Sequence, residues 1–333
     1  MGSDSSLVSI NGDQIPIKTR SIKLNNLGNT CYINSCVQAL LNSHYSMVFL
    51  ANLQKDISSH EISMAIKESP LFEMLRILSI FEEHKSADFV FSPKSFVSAF
   101  IKQNPCFKLG VQHDAHEFFL NLIESFDNTI SEINHELNLE IGKFSSLFCI
   151  KSETQSQCLF CAKTLSNVEE SLYIYISLNQ KQSLTARLRN LSKKEYSSGN
   201  SKQFCEECLL KQEFSTQLSY ISMPQILLIQ LQRFEYDRRT ESTRKISDHI
   251  PFPSCFSFCG SSYALRTATV HIGKSLNSGH FVAIKRIEEK WVLSSDSVSI
   301  ALRDVQVDEF FAFGKPGLEA SLPSAYLLFY EKT

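Results

Sequence analysis

Cys31 is the residue of this sequence best placed for nucleophilic chemistry. It closes the run Asn25-Asn26-Leu27-Gly28-Asn29-Thr30-Cys31, and apolar residues then recur at Ile33, Cys36, Val37, Leu40 and Leu41. That spacing is the stripe of one buried helix face. Gly28 and Asn29 suit a turn just ahead of it, so Cys31 falls in the first helical turn. Unpaired N–H groups and the helix dipole favour an anion there, which predicts a lowered thiol pKa and a cradle for an oxyanion. The competing reading is a cysteine that fills the core. Cys36 lies on the stripe and reads as packing, while Cys106, Cys149, Cys255 and Cys259 have no such setting. A thiol nucleophile needs a base, and nine histidines are available. His280 follows Gly279 and precedes an apolar run, and His271 alternates with apolar neighbours. Spacing does not say which of them approaches Cys31.

Two further cysteine pairs suggest a metal. Cys158-Leu-Phe-Cys161 and Cys205-Glu-Glu-Cys208 are CxxC knuckles. Each delivers two thiolates to one point, and two of them complete the tetrahedron zinc prefers. The long separation suits two hairpin tips that meet across a β insertion. A redox role calls for a single CxxC at a helix start, and the remaining alternative is four unrelated core cysteines. With all four positions filled by sulfur, the ion would be structural.

The elements that must carry these groups change character along the chain. The first part reads helical: besides the Cys31 stripe, Leu71–Phe81 repeats through Leu75, Leu78 and Phe81, and Ala115, Phe118, Phe119, Leu122, Ile123 and Phe126 form a third stripe. Asp114 and Glu117 stand at its start like a capping box. After about residue 140 the period becomes two. Ser171–Leu178, Gln225–Phe234, Ala264–Val270, His280–Arg286, Lys290–Leu293 and Ala325–Tyr330 read as strands, the last closing the sheet, and Ser183–Gly199 as a helix followed by a loop. A helical part, then a sheet, with a strand-rich insertion between them, is an α+β plan.

Composition excludes several classes. Hydrophobic residues make up 43% of the 333 and charged residues 20%, enough apolar side chain for a large core and unlike a disordered chain. A net charge of −2 gives no footprint for nucleic acid or an anionic membrane. Ten cysteines are too dilute for a secreted disulfide scaffold, residues 1–20 lack a signal-peptide core, and no apolar run is long enough to span a bilayer. A reducing, intracellular compartment is expected. Gly2 and Ser6 fit the loose myristoylation pattern, but no second anchor follows, so lipidation is not expected.

Leu24-Asn25-Asn26-Leu27-Gly28-Asn29-Thr30-Cys31-Tyr32-Ile33-Asn34-Ser35 resembles the Cys box of the ubiquitin-specific proteases, which are papain-like deubiquitinases with thumb, palm and fingers lobes. Gln112-His113-Asp114-Ala115-His116-Glu117-Phe118 resembles that family's second motif, with His113 where a second Gln is usual. The CxxC pairs resemble its fingers zinc site, Leu227–Phe234 its L-x-L-x-R-F strand, and Tyr263–Leu265, His271–Gly273 and Ser278–Phe281 its His box. Trp291 and Ala325–Tyr330 complete a set that runs from about residue 22 to 330.

The resemblance implies roles. Cys31 would be the nucleophile, His280 its base and later the acid for the leaving lysine amine, and Asn26 the oxyanion donor. Asp114 and Gln112 would contact ubiquitin, and Cys158, Cys161, Cys205 and Cys208 would hold structural Zn2+. It also implies a flexible stretch at 1–20 and one catalytic domain at 21–333: thumb 21–140, mainly fingers 141–235, mainly palm 236–333. The third triad position departs from the family pattern. Ser295 stands four residues after Trp291, where Asp or Asn is usual, and Asp296 follows it. A minority branch, including a mitochondrial outer-membrane member, resembles this with a Cys-His-Ser triad. A hydroxyl can fix the imidazole tautomer but cannot neutralise imidazolium. The expected arrangement has Ser295 orienting His280 and Asp296 polarising the site or assisting the oxyanion hole, with Asp296 as the rival for orienting the ring.

The implied function is hydrolysis of the isopeptide bond after the C-terminal glycine of ubiquitin. Two alternatives stay open at this point: a weakened ubiquitin-binding scaffold of the same fold, and a protease for a ubiquitin-like modifier. The implied partners are ubiquitin and ubiquitinated proteins, and the implied location is the cytoplasm, with the nucleus or the mitochondrial outer membrane as alternatives.

Overall fold

The computed structural model describes residues 22–84, 89–178, 182–237, 241–246, 248, 250–275, 278–303 and 323–333; the stretch 1–20, with Gly2 and Ser6, lies outside them. The thumb is built from α1 (Cys31–Leu41), α2 (His44–Ile57), α3 (Met64–Lys67), α4 (Pro70–Glu83), α5 (Lys94–Gln103) and α6 (Ala115–Leu137), and α7 (Leu184–Leu191) follows later in the chain. Asp114 is the N-cap of α6: its Oδ1 accepts from His116 N at 2.7 Å and Glu117 N at 3.1 Å. Such a cap satisfies amide groups that the helix itself cannot.

The short strands β1 (Lys23–Leu24) and β2 (Val90–Phe91) pair in parallel. Next come β3 (Ile150–Cys158), β4 (Thr164–Ser171), β5 (Ile174–Ile176), β6 (Glu195–Ser197), β7 (Gln203–Cys205), β8 (Leu210–Gln212) and β9 (Phe214–Ser222). They are followed by β10 (Ile226–Leu231), β11 (Phe234–Asp237), β12 (Ser242–Lys245), β13 (Cys255–Phe258), β14 (Ser261–Ser275), β15 (Ser278–Ile287), β16 (Lys290–Ser295), β17 (Val298–Leu302) and β18 (Ser324–Lys332). The fingers sheet has the order β4-β3-β9-β6, and the palm sheet β17-β16-β15-β14-β18-β10-β5 with β13 on β14. β5 and β10, inside the 141–235 stretch, therefore belong to the palm sheet.

Four details differ from the sequence reading, one being β6 inside the stretch after α7 that reads as a loop, where it pairs with β9. Ser171–Leu178 is not one strand: β4 ends at Ser171 and β5 covers Ile174–Ile176 alone. Gln225–Phe234 divides into β10 and β11 at Gln232 and Arg233. Arg233 is only 2% exposed, and its guanidinium turns inward to donate to Ala325 O at 2.9 Å and Asp248 O at 2.6 Å. A buried guanidinium demands such acceptors, and the ladder breaks to supply them. Finally, β18 does not close an edge but lies inside the sheet, between β14 and β10.

α1 corrects the sequence reading more deeply. All eleven of its residues are buried, not one face of it. It is enclosed by α6 from the thumb and by β14, β15 and β16 from the palm. Its polar residues find partners across that seam. Gln38 donates to Ile22 O at 2.6 Å and accepts from Lys285 Nζ at 2.5 Å. Just beyond the helix, Asn42 donates to Arg266 O and Thr267 Oγ1, both at 3.0 Å. One apolar core fills the thumb and reaches Phe281 and Tyr326, and a second lies within the palm around Leu227, Ile229 and Val282. α1 thus fixes the two lobes together along the line where Cys31 stands.

Candidate active site

Cys31 is the first residue of α1, and the segment before it is tied down at several points. Leu24 N donates to Asp296 O at 3.0 Å and Asn25 N to Phe91 O at 2.9 Å. Asn26 Oδ1 accepts from Gly28 N at 2.9 Å and Thr30 N at 3.1 Å, forming the turn ahead of the helix. Gly28 has φ 101° and Asn29 φ 54°, left-handed values that glycine and asparagine tolerate. Those two bonds aim the other end of the Asn26 amide at the site.

Across the seam, β15 carries His280 and β16 carries Ser295. His280 Nε2 lies 2.8 Å from Ser295 Oγ and 3.8 Å from Asp296 Oδ2. With Nε2 engaged by Ser295, Nδ1 is the nitrogen open to a thiol. The tight turn between β16 and β17 sets Asp296 in the left-handed region, at φ 48°. Its carboxylate accepts from Asn26 Nδ2 at 2.9 Å and from Asn34 Nδ2 at 2.7 Å. Ser295 and Asp296 therefore differ in what they hold: the hydroxyl meets the imidazole, and the carboxylate meets two amides.

The electrostatics overturn one expectation. Cys31 is only 3% exposed, and burial pushes its thiol up to about 11, aided by the Asp296 charge. Backbone N–H groups of Phe281, Tyr32 and Cys31 itself pull in the opposite direction and do not prevail. The expected lowered pKa considered the helix start alone, whereas desolvation of the enclosed sulfur is the larger effect. Burial also holds His280 below its ordinary value, against the opposing pull of Asp296. Burial thus works against charge on both the thiol and the imidazole of the resting site.

The Phe281 N–H that reaches Cys31 belongs to the residue after His280, so the structure brings nucleophile and base segments together across the lobes. Gln112 donates to Gly279 O at 2.7 Å, and Asp114 Oδ2 accepts from Tyr326 OH at 2.6 Å. Both bonds cross from thumb to palm. Asn34 and Tyr326 were given no role by sequence reasoning; Asn34 lies three residues after Cys31, but only the meeting of α1 with the β16–β17 turn reveals its partner.

A separate constellation lies in the fingers. The sulfurs of Cys158, Cys161, Cys205 and Cys208 all lie within 4.8 Å of one another. Cys158 to Cys208 is 3.9 Å and Cys161 to Cys205 is 3.6 Å. Four thiolates about 2.3 Å from a tetrahedral ion would stand roughly 3.8 Å apart, so the cluster can hold a metal.

Residues 22–330 match the model of the family described as Ubiquitin carboxyl-terminal hydrolase. A Salmo salar protein, ubiquitin carboxyl-terminal hydrolase 12, is 27% identical over 362 residues, which cover 99% of this chain and 95% of that one. Ubiquitin carboxyl-terminal hydrolase 4 of Arabidopsis thaliana is 25% identical over 354 residues, covering 96% and 95%. Among solved structures, the SAGA DUB module of Ubp8, Sgf11, Sus1 and Sgf73 bound to monoubiquitin superposes with a TM-score of 0.75 at 21% identity. That match covers 98% of this chain and 72% of the other and establishes the shared mixed α+β fold.

Proposed function

The chain belongs to the ubiquitin carboxyl-terminal hydrolase family, and we propose that its cysteine-type ubiquitin peptidase activity runs through Cys31 and His280, with Ser295 and Asp296 in separate supporting roles. The observation that carries this reading is the 2.8 Å contact of His280 Nε2 with Ser295 Oγ, which leaves Nδ1 for the thiol.

His280 Nδ1 takes the Cys31 proton as Sγ attacks the carbonyl carbon of the C-terminal glycine of ubiquitin. The carbonyl electrons move onto oxygen. Asn26 Nδ2 has two hydrogens, one of them directed to Asp296, and the other is available to the oxyanion together with the N–H groups at the start of α1. Collapse expels the lysine amine, which takes the proton from imidazolium. Water, deprotonated by the same ring, then hydrolyses the thioester and returns the thiol. Ser295 holds the tautomer, while the Asp296 charge, 3.8 Å from the ring, favours imidazolium.

Recognition of ubiquitin would fall to Asp114 on the thumb side of the seam, whereas the Gln112 amide is engaged by Gly279 O at 2.7 Å. Zinc at Cys158, Cys161, Cys205 and Cys208 would close the fingers tip and take no part in the chemistry. The location proposed for the chain is a reducing one, the cytoplasm, with the nucleus or the mitochondrial outer membrane as alternatives. No helix among the described residues is long and apolar enough to cross a membrane.

The test is labelling with a ubiquitin bearing a C-terminal electrophile, together with turnover of a fluorogenic ubiquitin conjugate. Wild-type protein should form one adduct at Cys31 and hydrolyse the conjugate, and Cys31→Ala should do neither. An adduct that persists in Cys31→Ala would refute the assignment.

A further inference from the structure

We propose that Gln112 is a positioning residue for His280: the thumb delivers its amide to the carbonyl that immediately precedes the imidazole-bearing residue. The proposal rests on the assignment of Cys31 and His280 made above and adds how their separation is set.

Gly279 is where β15 needs outside support. The pairing of β14 with β15 is regular up to Ile272 opposite His280 and then shifts register before Ser275 opposite Ser278. Gly279 falls in that irregularity, and its carbonyl takes the 2.7 Å bond from Gln112 Nε2. The ring of His271 also stands against Gly279 and is fully buried between Phe234 and Phe281 at centroid distances of 5.2 Å and 4.9 Å. The contact is so close that a Cβ on Gly279 would lie 2.4 Å from His271 Nε2. His271 leaves no room beside the Gly279 Cα, and Gln112 ties its carbonyl.

Gln112 can act as a fixed jaw because the loop that carries it is held at both ends. Asn29 Nδ2 donates to Gly110 O at 2.7 Å, and Gly110 N donates to Gly28 O at 3.2 Å. His113 Nε2 accepts from Lys108 N at 3.0 Å, and its ring lies 5.8 Å from that of Tyr32. Asp114 caps α6 and accepts from Tyr326. One short loop thus touches the residue after Cys31 and the residue before His280. Through Gln112 the thumb sets where the imidazole stands relative to the sulfur.

The test uses the full chain with Gln112→Ala and Gln112→Met, the second keeping the side-chain length while removing the donor. Steady-state kinetics on a fluorogenic ubiquitin conjugate are normalised to Cys31 sites counted by exhaustive labelling with the ubiquitin electrophile. Both variants should lose kcat by roughly 10- to 100-fold, the scale of an ångström-sized misplacement, with KM unchanged. The acid limb of the pH profile should move to higher pH, because a loosened ring gains solvent and its depressed pKa relaxes. A merely structural role would lower the number of labelled sites or the unfolding temperature and leave kcat per site and the acid limb in place; that result overturns the proposal. A rate above wild type would also overturn it, since the bond would then be a latch that opposes catalysis. Failure of wild-type protein to label at Cys31 would instead sink the active-site assignment.

Discussion

Asp296 and Asn26 are joined by a 2.9 Å hydrogen bond from the amide to the carboxylate. The carboxylate beside the imidazole thus organises the proposed oxyanion donor, while a neighbouring hydroxyl holds the ring. In a site where one carboxylate orients the histidine, the two duties would not be separable by mutation. Here they stand on adjacent residues.

Ser295→Ala should lower kcat by roughly 10- to 100-fold, within the range set by a positioned acid–base group, and should leave Cys31 able to form the ubiquitin adduct. Asp296→Ala should cost about 100-fold, the scale of a lost oxyanion donor, because Asn26 and Asn34 both lose their acceptor. Adding Asn26→Ala to Asp296→Ala should cost little more, since the two act as a unit. Additive losses in that double mutant would show that Asp296 works independently of Asn26. Steady-state kinetics of Ser295→Ala, Asp296→Ala, Asn26→Ala and the Asn26/Asp296 double mutant decide it.

The buried sulfur sets a pH signature. With its pKa pushed up to about 11, the free thiol is protonated at neutral pH. The rate of its alkylation by iodoacetamide should therefore rise steadily from pH 7 to pH 10, as the thiolate fraction grows. A plateau already reached near pH 6 would mean a preformed thiolate–imidazolium pair and would contradict this account.

Lys285 offers a stability test at the same seam. It is 2% exposed, donates to Gln38, and burial lowers its pKa from 10.5 to about 7. The unfolded chain then binds a proton that the folded state does not, so between those values this group favours folding as pH rises. Lys285→Met removes that penalty. Its stability relative to wild type should be greatest at pH 7 and should shrink by about 1.4 kcal/mol per pH unit toward pH 10. Denaturant unfolding at several pH values measures this; a pH-independent difference would contradict it.

Gly279→Ala should abolish turnover while leaving the palm folded. The added methyl would meet His271 Nε2 at 2.4 Å and Ile272 O at 2.6 Å, and overpacking of that kind costs roughly 1–3 kcal/mol. The measurements are turnover and unfolding temperature; wild-type turnover would contradict the fit described here.

In the fingers, purified protein should carry one zinc per chain by elemental analysis, and Cys205→Ser should lose it along with several degrees of unfolding temperature. Metal-free protein with an unchanged unfolding transition would refute the zinc assignment.

The parts of this fold legible in the sequence are those governed by short-range period or by residue chemistry. α4 and α6 show through their apolar repeats, and Cys31 and the four fingers cysteines show through spacing. α2 does not, because only Ser46, Leu50, Leu53 and Ile57 of its fourteen residues are buried, too sparse a stripe to read. β4 is exposed along its whole length, so it carries no alternation. The thiol pKa went the other way because a helix start is a local signal and desolvation belongs to the assembled lobes. The bonds of Asn34 to Asp296, Gln112 to Gly279 and Tyr326 to Asp114 each span more than 150 positions of the chain, and no local pattern encodes them.

The place of β18 has a consequence for synthesis. Residues 324–332 are made after every other strand of the palm, yet they sit at its centre, paired with β14 on one side and β10 on the other. A growing polypeptide on the ribosome therefore exposes two apolar sheet halves with a gap between them, a form prone to wrong pairing. Tyr326 of this same strand holds Asp114 at the thumb–palm seam, so closure of the proposed site is expected to wait on the last-made strand.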